Sequence, residues 1–474
     1  MRRFPAIIAG TPVEPGDWIP VTDPSTGELA AWAARCGAAE ADAAVAAARG
    51  AYEGTWRHTP PVDRAAACRA LADGIRAAGE ELTALETLDT GKPLSQARTD
   101  VEVAARYFEF YGSTVEALFG QTLPSAPGAL LFTLPEPYGV SAHIIPWNYP
   151  LQVAARTVAP ALAAGNACVL KPAEDAPLSS VRLAEIAVDT GLPPGTLNVI
   201  PGYGTECGAA LAAHPGIDHL SFTGSRPAGQ SVMTSAAANI VPVTLELGGK
   251  SPQLVFADAD TDRAVDAIFH GITEHAGQNC SAGSRLIVHS RVHDEVVAGL
   301  LRRFESMRIG PGTADLDLGP LISARQRDRV LAYIETGRGE GKLITGGTVP
   351  DGPGFFVHPT IFDDVLPGAT IAQEEIFGPV LCVHSFTDPA DAAAIANDTT
   401  YGLAAGIWTR DIGRAQALCR ELRAGQVFVN NYSAAGGVEL PFGGYRRSGV
   451  GGEKGFEALR EYTRTKAVAI VSSG

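Results

Sequence analysis

Apolar residues recur in the first part of the chain at spacings of three and four positions, which is the period of an amphipathic helix. These stretches are rich in alanine, and the first 120 residues are predicted to be mostly helical. The clearest helices are predicted over Ala38–Gly50, Pro61–Ala78 and Thr99–Leu118.

The pattern changes at Gln121–Pro137, which contains four prolines and the apolar run Ala129–Leu134. We expect an extended segment or a hairpin there. Its apolar face would be exposed on a single chain, which favours a contact with another subunit.

After Tyr138, short apolar runs alternate with helical patterns of about ten to fifteen residues, which is typical of βαβ units and a parallel sheet. The alternation comes in two series that meet near residues 246–252. The predicted fold class is therefore α/β, with two doubly wound halves. Strands are predicted over Val140–Ile145, Ala167–Leu170, Thr196–Ile200, His219–Phe222, Gln253–Phe256, Arg285–His289, Val380–Phe386, Gly406–Trp408 and Gln426–Asn430. Helices between them are predicted over Pro150–Ala164, Pro177–Asp189, Cys207–Ala213, Thr261–Gly271, His293–Met307, Asp388–Asn397 and Ile412–Arg423.

The composition narrows the possible partners. The 474 residues carry a net charge of −15, with 46% hydrophobic and 19% charged residues. The negative net charge argues against nucleic acid or an anionic membrane as the main binding partner, because binding to either requires clustered Lys and Arg. No apolar stretch reaches about 18 residues without a charge or a breaker, so no membrane span is expected.

The cysteines argue against two further classes of protein. There are seven, they are scattered, and none forms a C-x-x-C pair, so we expect neither a disulfide framework nor a metal site. A reduced, cytoplasmic protein fits this usage best.

Several polar motifs stand where the predicted strands end, and ligands bind at the carboxyl ends of strands in open α/β sheets. The glycine turn in Ser221–Gly229 leads into a helix, but such a turn alone is weak evidence for phosphate binding. Glu246 lies between two leucines. It could be a paired structural charge or, in an apolar pocket, a base with a raised pKa.

Cys280 lies in the stretch His275–Arg285, which has small and polar neighbours and neither helical nor strand periodicity. A free cysteine is most often an inert buried thiol. Two aromatic–glycine loops, Gln373–Pro379 and Leu440–Gly449, are of the kind that contacts flat ligands. Each of these features is ambiguous when it is taken alone.

Together and in this order, the motifs resemble those of the aldehyde dehydrogenase superfamily almost from end to end. The resemblance extends to Tyr462–Lys466 and is carried by PWNYP, LKPAE, FTGSRPAG, LELGGK, GQNCSAGSR, EEIFGPV and PFGGYRRSG. It implies two Rossmann-like domains and a small β extension, in a homodimer or homotetramer. The implied boundaries are residues 1–117 and 138–248 for the NAD-binding domain, 249–449 for the catalytic domain, and 118–137 with 450–474 for the oligomerisation segment.

The resemblance also implies the reaction, the NAD-dependent oxidation of a small-molecule aldehyde to its acid. Cys280 would be the nucleophile that forms a thiohemiacetal. The side chain of Asn148 and the backbone N–H of Cys280 would stabilise the developing oxyanion. Hydride transfer to NAD would leave a thioester, which Glu246 would hydrolyse by activating water.

The cofactor contacts follow from the same resemblance. Lys171 and Glu174 would hold the adenosine ribose, Trp147 and Ser225 would line the diphosphate, and Glu375 with Phe377 would hold the nicotinamide end. Gly248 would leave space for cofactor and base together. The remaining predicted cofactor residues are Ile144, Gly224 and Gly229. A carboxylate at Glu174 accepts hydrogen bonds from a 2′-hydroxyl but repels a 2′-phosphate, so NAD is expected over NADP.

The substrate pocket is less ordinary. Arg156 stands where relatives that act on succinic semialdehyde bind a carboxylate, but the second arginine of those enzymes is replaced by Glu274. Arg156 either pairs with Glu274, which we favour, or binds a substrate carboxylate. Tyr149 and Phe442 are expected to wall the pocket. Small residues at Ala434 and its neighbours could open it to a bulky aldehyde.

Two alternatives to this enzyme remain open. An acylating relative would pass the thioester to coenzyme A, but Glu246 argues against it because such members usually lack this residue. A catalytically idle nucleotide-binding homologue is disfavoured because Cys280, Asn148 and Glu246 are all present.

His275 suggests a Cys–His hydrolase, but it has no partner carboxylate motif.

Overall fold

The computed structural model describes residues 2–433 and 437–471. Helices and strands alternate over most of this range. The α-helices are Ala38–Gly54, Pro61–Ala77, Gly79–Thr90, Leu94–Thr114, Pro150–Ala164, Leu178–Asp189, Ala209–Ala212, Arg226–Ala237, Thr261–Thr273, His293–Glu305, Ala324–Glu340, Thr370–Gln373, Pro389–Asn397, Ile412–Glu421 and Glu457–Glu461. None of the helices in the described ranges is long and apolar enough to span a membrane.

The first large sheet has eight strands, of which the five central ones are parallel. The chain runs outward from Val140–Ile144 on one side of this sheet and then returns to build the other side from His219–Thr223. This reversal is the switch point at which doubly wound sheets bind ligands. In spatial order the strands are Gly449–Val450, Val243–Glu246, His219–Thr223, Val140–Ile144, Ala167–Lys171, Leu197–Val199, Ala6–Ile8 and Thr11–Val13.

The second large sheet has seven strands and repeats the plan. Its chain path reverses between Pro252–Val255 and Ala404–Trp408, and only the edge strand Lys342–Thr345 is antiparallel to its neighbour. In spatial order the strands are Lys342–Thr345, Thr360–Asp363, Val380–Phe386, Arg285–His289, Pro252–Val255, Ala404–Trp408 and Gln426–Val429. The predicted α/β class with two Rossmann-like halves is confirmed.

A third sheet joins two distant parts of the chain. Ala129–Pro137 pairs antiparallel with Thr463–Val471 along its whole length, and Thr122–Leu123 adds a short third strand. The extended hairpin expected from the prolines is therefore present. The strand Gly449–Val450, which the predicted boundary divides, belongs instead to the first large sheet.

The prediction of a mostly helical start is wrong for residues 3–34. A fourth sheet contains Arg3–Phe4, Leu29–Ala34 and Trp18–Thr22, and two further strands join the first large sheet. The alanines of Leu29–Ala34 favour a helix when taken alone. Pairing with neighbours on both sides overrides this preference, because strand formation depends on tertiary context.

The helix Pro150–Ala164 is the buried element that carries part of the site. Proline at its first position is pre-set for a helix, and Gly165 ends it with a left-handed φ of 103°. All of its residues except Gln152 are buried. Its N-terminus follows Asn148 directly, and Arg156 lies in its buried interior.

Candidate active site

Four strands of the first large sheet end side by side, at the positions that the sequence assigned to the site. In the register of the sheet, Ile144 is paired with Lys171, and Thr223 is paired with Glu246. Parallel strands bring their carboxyl ends to one edge. Thr223 at this edge lines the same cavity as Cys280, which belongs to the second half of the chain.

The loop before Cys280 has an unusual backbone. His275, Ala276 and Gly277 have φ angles of 47°, 53° and 71°, all in the left-handed region. For the two residues with a Cβ this costs roughly 1–3 kcal/mol each, and it persists only where packing enforces it. A Cβ at Gly277 would lie 2.3 Å from the carbonyl oxygen of Gly378, so glycine is required there. Strain of this kind concentrates at functional sites.

A cavity of about 400 Å³ opens beside Cys280, whose side chain is partly exposed to it. Ala434, which was predicted to face the pocket, lies outside the described residues, although Ser433 and Gly437 on either side line the cavity. The other predicted site residues that line it are Asn148, Tyr149, Arg156, Gly224, Glu274, Phe377 and Phe442.

The amide of Asn148 is buried and fixed in this cavity. Its Nδ2 donates a hydrogen bond of 2.9 Å to the carbonyl oxygen of Gln278, two residues before the nucleophile. The amide nitrogen carries two hydrogens, so one remains for a ligand. The amide is therefore held in place by the loop that carries the Cys280 thiol, with a hydrogen-bond donor left for a ligand in the cavity.

A buried charge cluster holds the backbone of Asn148. The ammonium of Lys92 donates to the carbonyl oxygen of Asn148 at 3.0 Å and to the carboxylate of Asp100. It lies 3.6 Å from Glu86, which accepts the backbone N–H of Leu151 at 3.0 Å. The turn that presents Asn148 is thus anchored on both sides.

The thiol of Cys280 is electrostatically disfavoured as a thiolate. Burial raises its pKa to about 12, Arg156 acts in the opposite direction, and Glu375 and Glu246 raise it further. The thiol is therefore protonated at neutral pH. It requires a base or a nearby positive charge to become the attacking thiolate.

Glu246 is a buried carboxyl with no fixed partner. Neither of its oxygens has a hydrogen-bond partner among the described residues. Burial raises its pKa well above the usual range, the charge of Glu453 raises it further, and Arg156 lowers it. Of the two interpretations that the sequence left open, a paired structural charge does not fit this environment, whereas a base with a raised pKa does.

The predicted pairing of Arg156 with Glu274 is wrong. The guanidinium Nε of Arg156 lies 2.5 Å from the carboxylate of Glu453, and both side chains are buried. Glu274 is exposed at the cavity and accepts a long hydrogen bond of 3.5 Å from Asn279. A buried cation needs a buried counter-charge, and Glu453 supplies it.

Two glycines allow the two halves of the site to approach each other. A Cβ at Gly248 would lie 2.1 Å from the carboxylate of Glu375, and a Cβ at Gly249 would lie 2.5 Å from the carbonyl oxygen of Cys280. The N–H of Gly249 donates to Glu375 at 3.0 Å. Burial raises the pKa of Glu375 to about 7.

The helix Arg226–Ala237 begins directly after Ser225, at the end of a central strand. Its N-terminus offers unpaired backbone N–H groups, which bind phosphate oxygens well. A Cβ at Gly229 would lie 2.5 Å from Leu247, so the helix packs closely on the strand beside Glu246. Trp147 meets Phe377 edge to face, with ring centres 5.4 Å apart.

Lys171 and Glu174 are brought together as predicted. The Lys171 ammonium lies 3.2 Å from a Glu174 carboxylate oxygen, and the Glu174 side chain is partly exposed. A cation and a carboxylate at the end of a central strand match the polar groups of a ribose. With the helix N-terminus at Ser225, the donors present fit a dinucleotide.

Comparison with known proteins agrees with this geometry. The model of the aldehyde dehydrogenase family matches residues 12–468. The chain is 43% identical over 467 residues to the hydroxyisobutyraldehyde dehydrogenase of Mycolicibacterium austroafricanum, covering 97% of this chain and 92% of that protein. The chain belongs to the aldehyde dehydrogenase family.

Solved structures of other family members superpose closely. An indole-3-acetaldehyde dehydrogenase of P. syringae, in complex with NAD+ and IAA, has a TM-score of 0.97 at 39% identity, covering 99% of this chain and 97% of that one. The NAD+ complex of an aldehyde dehydrogenase from Bacillus cereus has a TM-score of 0.97 at 40% identity, covering 99% and 96%. Family membership confirms the predicted enzyme, an NAD-dependent aldehyde dehydrogenase.

Sequence reasoning missed several residues of this aldehyde dehydrogenase site. Glu453 and Lys454 follow a glycine-rich stretch with no periodicity. The sequence holds no signal that Glu453 pairs with Arg156 or that Lys454 lines the cavity. Lys92 and Asp100 lie in the helical N-terminal region, where charges are usually solvated. Their burial could be found only from the tertiary structure.

Proposed function

We propose that this protein oxidises an aldehyde to its carboxylic acid with NAD+ and water, through a covalent intermediate on Cys280. The observation that carries the proposal is a shared site: Cys280 and the amide of Asn148 line one cavity, while the unpaired carboxyl of Glu246 acts electrostatically on the same thiol. The NAD+ complexes of related structures support the choice of cofactor.

In the first step, Cys280 loses its thiol proton to solvent. The thiolate sulfur then attacks the carbonyl carbon, and the carbonyl π electrons move to oxygen. The oxyanion is stabilised by Asn148 Nδ2 and by the backbone N–H of Cys280. One such donor contributes about 3–4 kcal/mol in other enzymes. Asn148 is suited to this role because Gln278 and Lys92 fix its side chain and its backbone.

NAD+ supplies, when bound, the hydride acceptor that the oxidation requires. Lys171 and Glu174 would hold the adenosine end, the N–H groups of the helix after Ser225 would bind the diphosphate, and Glu375 with Phe377 would hold the nicotinamide end. Gly248 keeps the approach to Glu375 open, since any side chain there would collide with that carboxylate.

In the last step, Glu246 takes a proton from water, whose oxygen attacks the thioester carbon. The carbon–sulfur bond breaks, and the thiolate leaves with the electron pair. A carboxyl whose pKa is raised by burial is a stronger base than an exposed one once it is ionised. This base distinguishes the hydrolytic reaction from transfer to coenzyme A.

The cofactor preference, the assembly and the compartment are parts of the same proposal. The carboxylate of Glu174 favours NAD over NADP because it repels a 2′-phosphate. The exposed Leu130, Leu134 and Ile470 on the third sheet support a homodimer or homotetramer formed through that sheet. All seven cysteines are free thiols, which supports a reducing compartment such as the cytoplasm.

The substitution Cys280→Ala tests the proposed nucleophile. We expect it to abolish NADH formation from aldehydes while NAD+ affinity, measured by calorimetry, is unchanged. The exposed thiol of Cys419 provides the matched control, and Cys419→Ala should retain full activity. Turnover retained by Cys280→Ala would overturn the proposal.

A further inference from the structure

The guanidinium of Arg156 is held in the inner wall of the cavity by three groups from different parts of the chain. Its Nε lies 2.5 Å from the carboxylate of Glu453, and its Nη2 donates a long hydrogen bond of 3.4 Å to Thr223. Its carbon centre lies 5.2 Å from the ring centre of Phe442. Arg156 is buried, so these contacts fix its position.

Arg156 lines the same cavity as Cys280, and its hydrogen-bond partner Thr223 is paired with Glu246 in the first large sheet. The ionisable groups that interact electrostatically with this guanidinium include both reacting groups of the proposed mechanism. They are Glu453, Tyr107, Tyr111, Glu246, Cys280 and Lys454. Among the charges that act on Cys280, Arg156 lowers the pKa of the thiol, whereas Glu375 and Glu246 raise it. Arg156 also lowers the pKa of Glu246, which Glu453 raises.

We propose that Arg156 is a positioning residue whose guanidinium, fixed by Glu453, keeps a positive charge beside both Cys280 and Glu246 and so favours the ionised form of each. This inference rests on the proposed function, because it assigns no new chemistry to Arg156. The helix Pro150–Ala164 therefore supplies a fixed cation that favours ionisation of the Cys280 thiol.

Glu453 sets the strength of this effect. Its carboxylate neutralises much of the guanidinium charge, and it also repels a charge on Glu246. Glu453→Gln should therefore change the reactivity of Cys280 in the direction opposite to Arg156→Gln. Both substitutions break the same ion pair, so a loss of structure would change the reactivity of Cys280 in the same direction. Opposite changes in reactivity would therefore indicate an electrostatic effect.

The test is the rate at which iodoacetamide alkylates Cys280, followed by mass spectrometry of the Cys280 peptide over a range of pH. Loss of one nearby charge that moves the thiol pKa by about one unit changes the thiolate fraction about tenfold. We expect Arg156→Gln to slow alkylation about tenfold at a given pH and Glu453→Gln to accelerate it. Arg156→Lys, which retains the charge, should react within about threefold of the wild type.

Arg106 provides the matched control. It also lines the cavity and pairs with a glutamate, Glu439 at 2.8 Å, but it is not among the leading charges that act on Cys280. Arg106→Gln should leave the alkylation rate unchanged. Circular dichroism melting of each variant establishes that it is folded.

Equal alkylation rates for Arg156→Gln and the wild type would overturn the inference, as would an Arg156→Lys variant as slow as Arg156→Gln. Selective loss of activity towards an aldehyde that carries a carboxylate, with hexanal oxidation retained, would also overturn it by making Arg156 a substrate clamp. Alkylation does not require aldehyde turnover. A wild type that is inactive on aldehydes would therefore refute the proposed function separately.

Discussion

At the scale of single residues, the site contains two weak acids whose ionised forms are disfavoured by their surroundings. Burial raises the pKa of both the Cys280 thiol and the Glu246 carboxyl, and their mutual repulsion favours ionising only one at a time. Ionisation of one group at a time suits a mechanism with two stages. In the proposed mechanism, Cys280 would be ionised when it attacks the aldehyde, and Glu246 would accept a proton later, when the thioester is hydrolysed.

The substitution Glu246→Gln separates these stages. We expect a stoichiometric burst of NADH followed by steady-state turnover slowed about a hundredfold or more, because a general base contributes roughly 10²–10⁴ to a rate. The measurement is stopped-flow absorbance of NADH, with enough enzyme that a burst of one NADH per active site can be detected.

Glu461 is the matched control for this experiment. It is an exposed carboxyl whose pKa is also raised by desolvation, and it is not among the residues that line the cavity. Glu461→Gln should behave like the wild type. Disappearance of the burst in Glu246→Gln would contradict a role confined to hydrolysis.

The carboxylate of Glu174 gives a second prediction at this scale. Glu174→Ser removes the charge that would repel a 2′-phosphate, and we expect the NADP/NAD ratio of kcat/KM to rise about tenfold or more. Glu185→Ser, in the following helix, removes a partly exposed carboxylate and should leave the ratio unchanged. An unchanged ratio in Glu174→Ser would remove the basis for the NAD preference.

What the sequence could reveal at this scale depended on how local the signal was. Cys280, Asn148 and Glu246 each lie in a short motif. The structure places Cys280 and Asn148 on one cavity, and Glu246 is paired in the sheet with Thr223, which also lines it. The partner of Arg156 was predicted wrongly because Glu453 reaches it from the far end of the chain. No spacing rule identifies such a contact, whereas Glu274 was the nearest candidate in the motif of the nucleophile.

At the scale of elements, the site depends on the turn that leads into the helix Pro150–Ala164. The sequence predicted this helix with the bounds that the structure shows, because proline begins it and glycine ends it. It could not predict that the Lys92 cluster, formed by two other helices and the turn between them, holds the turn before it. The strands near the N-terminus were also missed, since their alanines favour helix until a neighbouring strand pairs with them.

Lys92→Met tests the clamp. Removal of one partner from a buried ionic cluster is expected to cost about 3–5 kcal/mol of stability, because the remaining carboxylates lose their counter-charge. We expect a lower melting temperature and a lower kcat, since the carbonyl of Asn148 loses its anchor, while the KM for NAD+ stays the same. Lys92→Arg, which keeps the charge, should recover part of both losses. A normal kcat in folded Lys92→Met would contradict the role of the clamp.

At the scale of the whole molecule, two doubly wound sheets bring different parts of the reaction to one place. In the proposed mechanism, the first sheet contributes Glu246 and the edge that would bind the dinucleotide, and the second half contributes the strained loop of Cys280. Their contact requires Gly248, which has no side chain to collide with the carboxylate of Glu375 in the second half. Neither half contains a complete site, so activity belongs to the assembled chain.

The most direct test of this account is NADH formation by the wild-type enzyme without coenzyme A. NAD+ and, separately, NADP+ would be supplied with acetaldehyde, hexanal, benzaldehyde, an aminoaldehyde and succinic semialdehyde, and the acid product would be quantified. The account predicts many turnovers with NAD+ for at least one aldehyde, with one carboxylic acid formed per NADH. A single burst that continues only when coenzyme A is added, or no NADH from any aldehyde while NAD+ still binds, would contradict it.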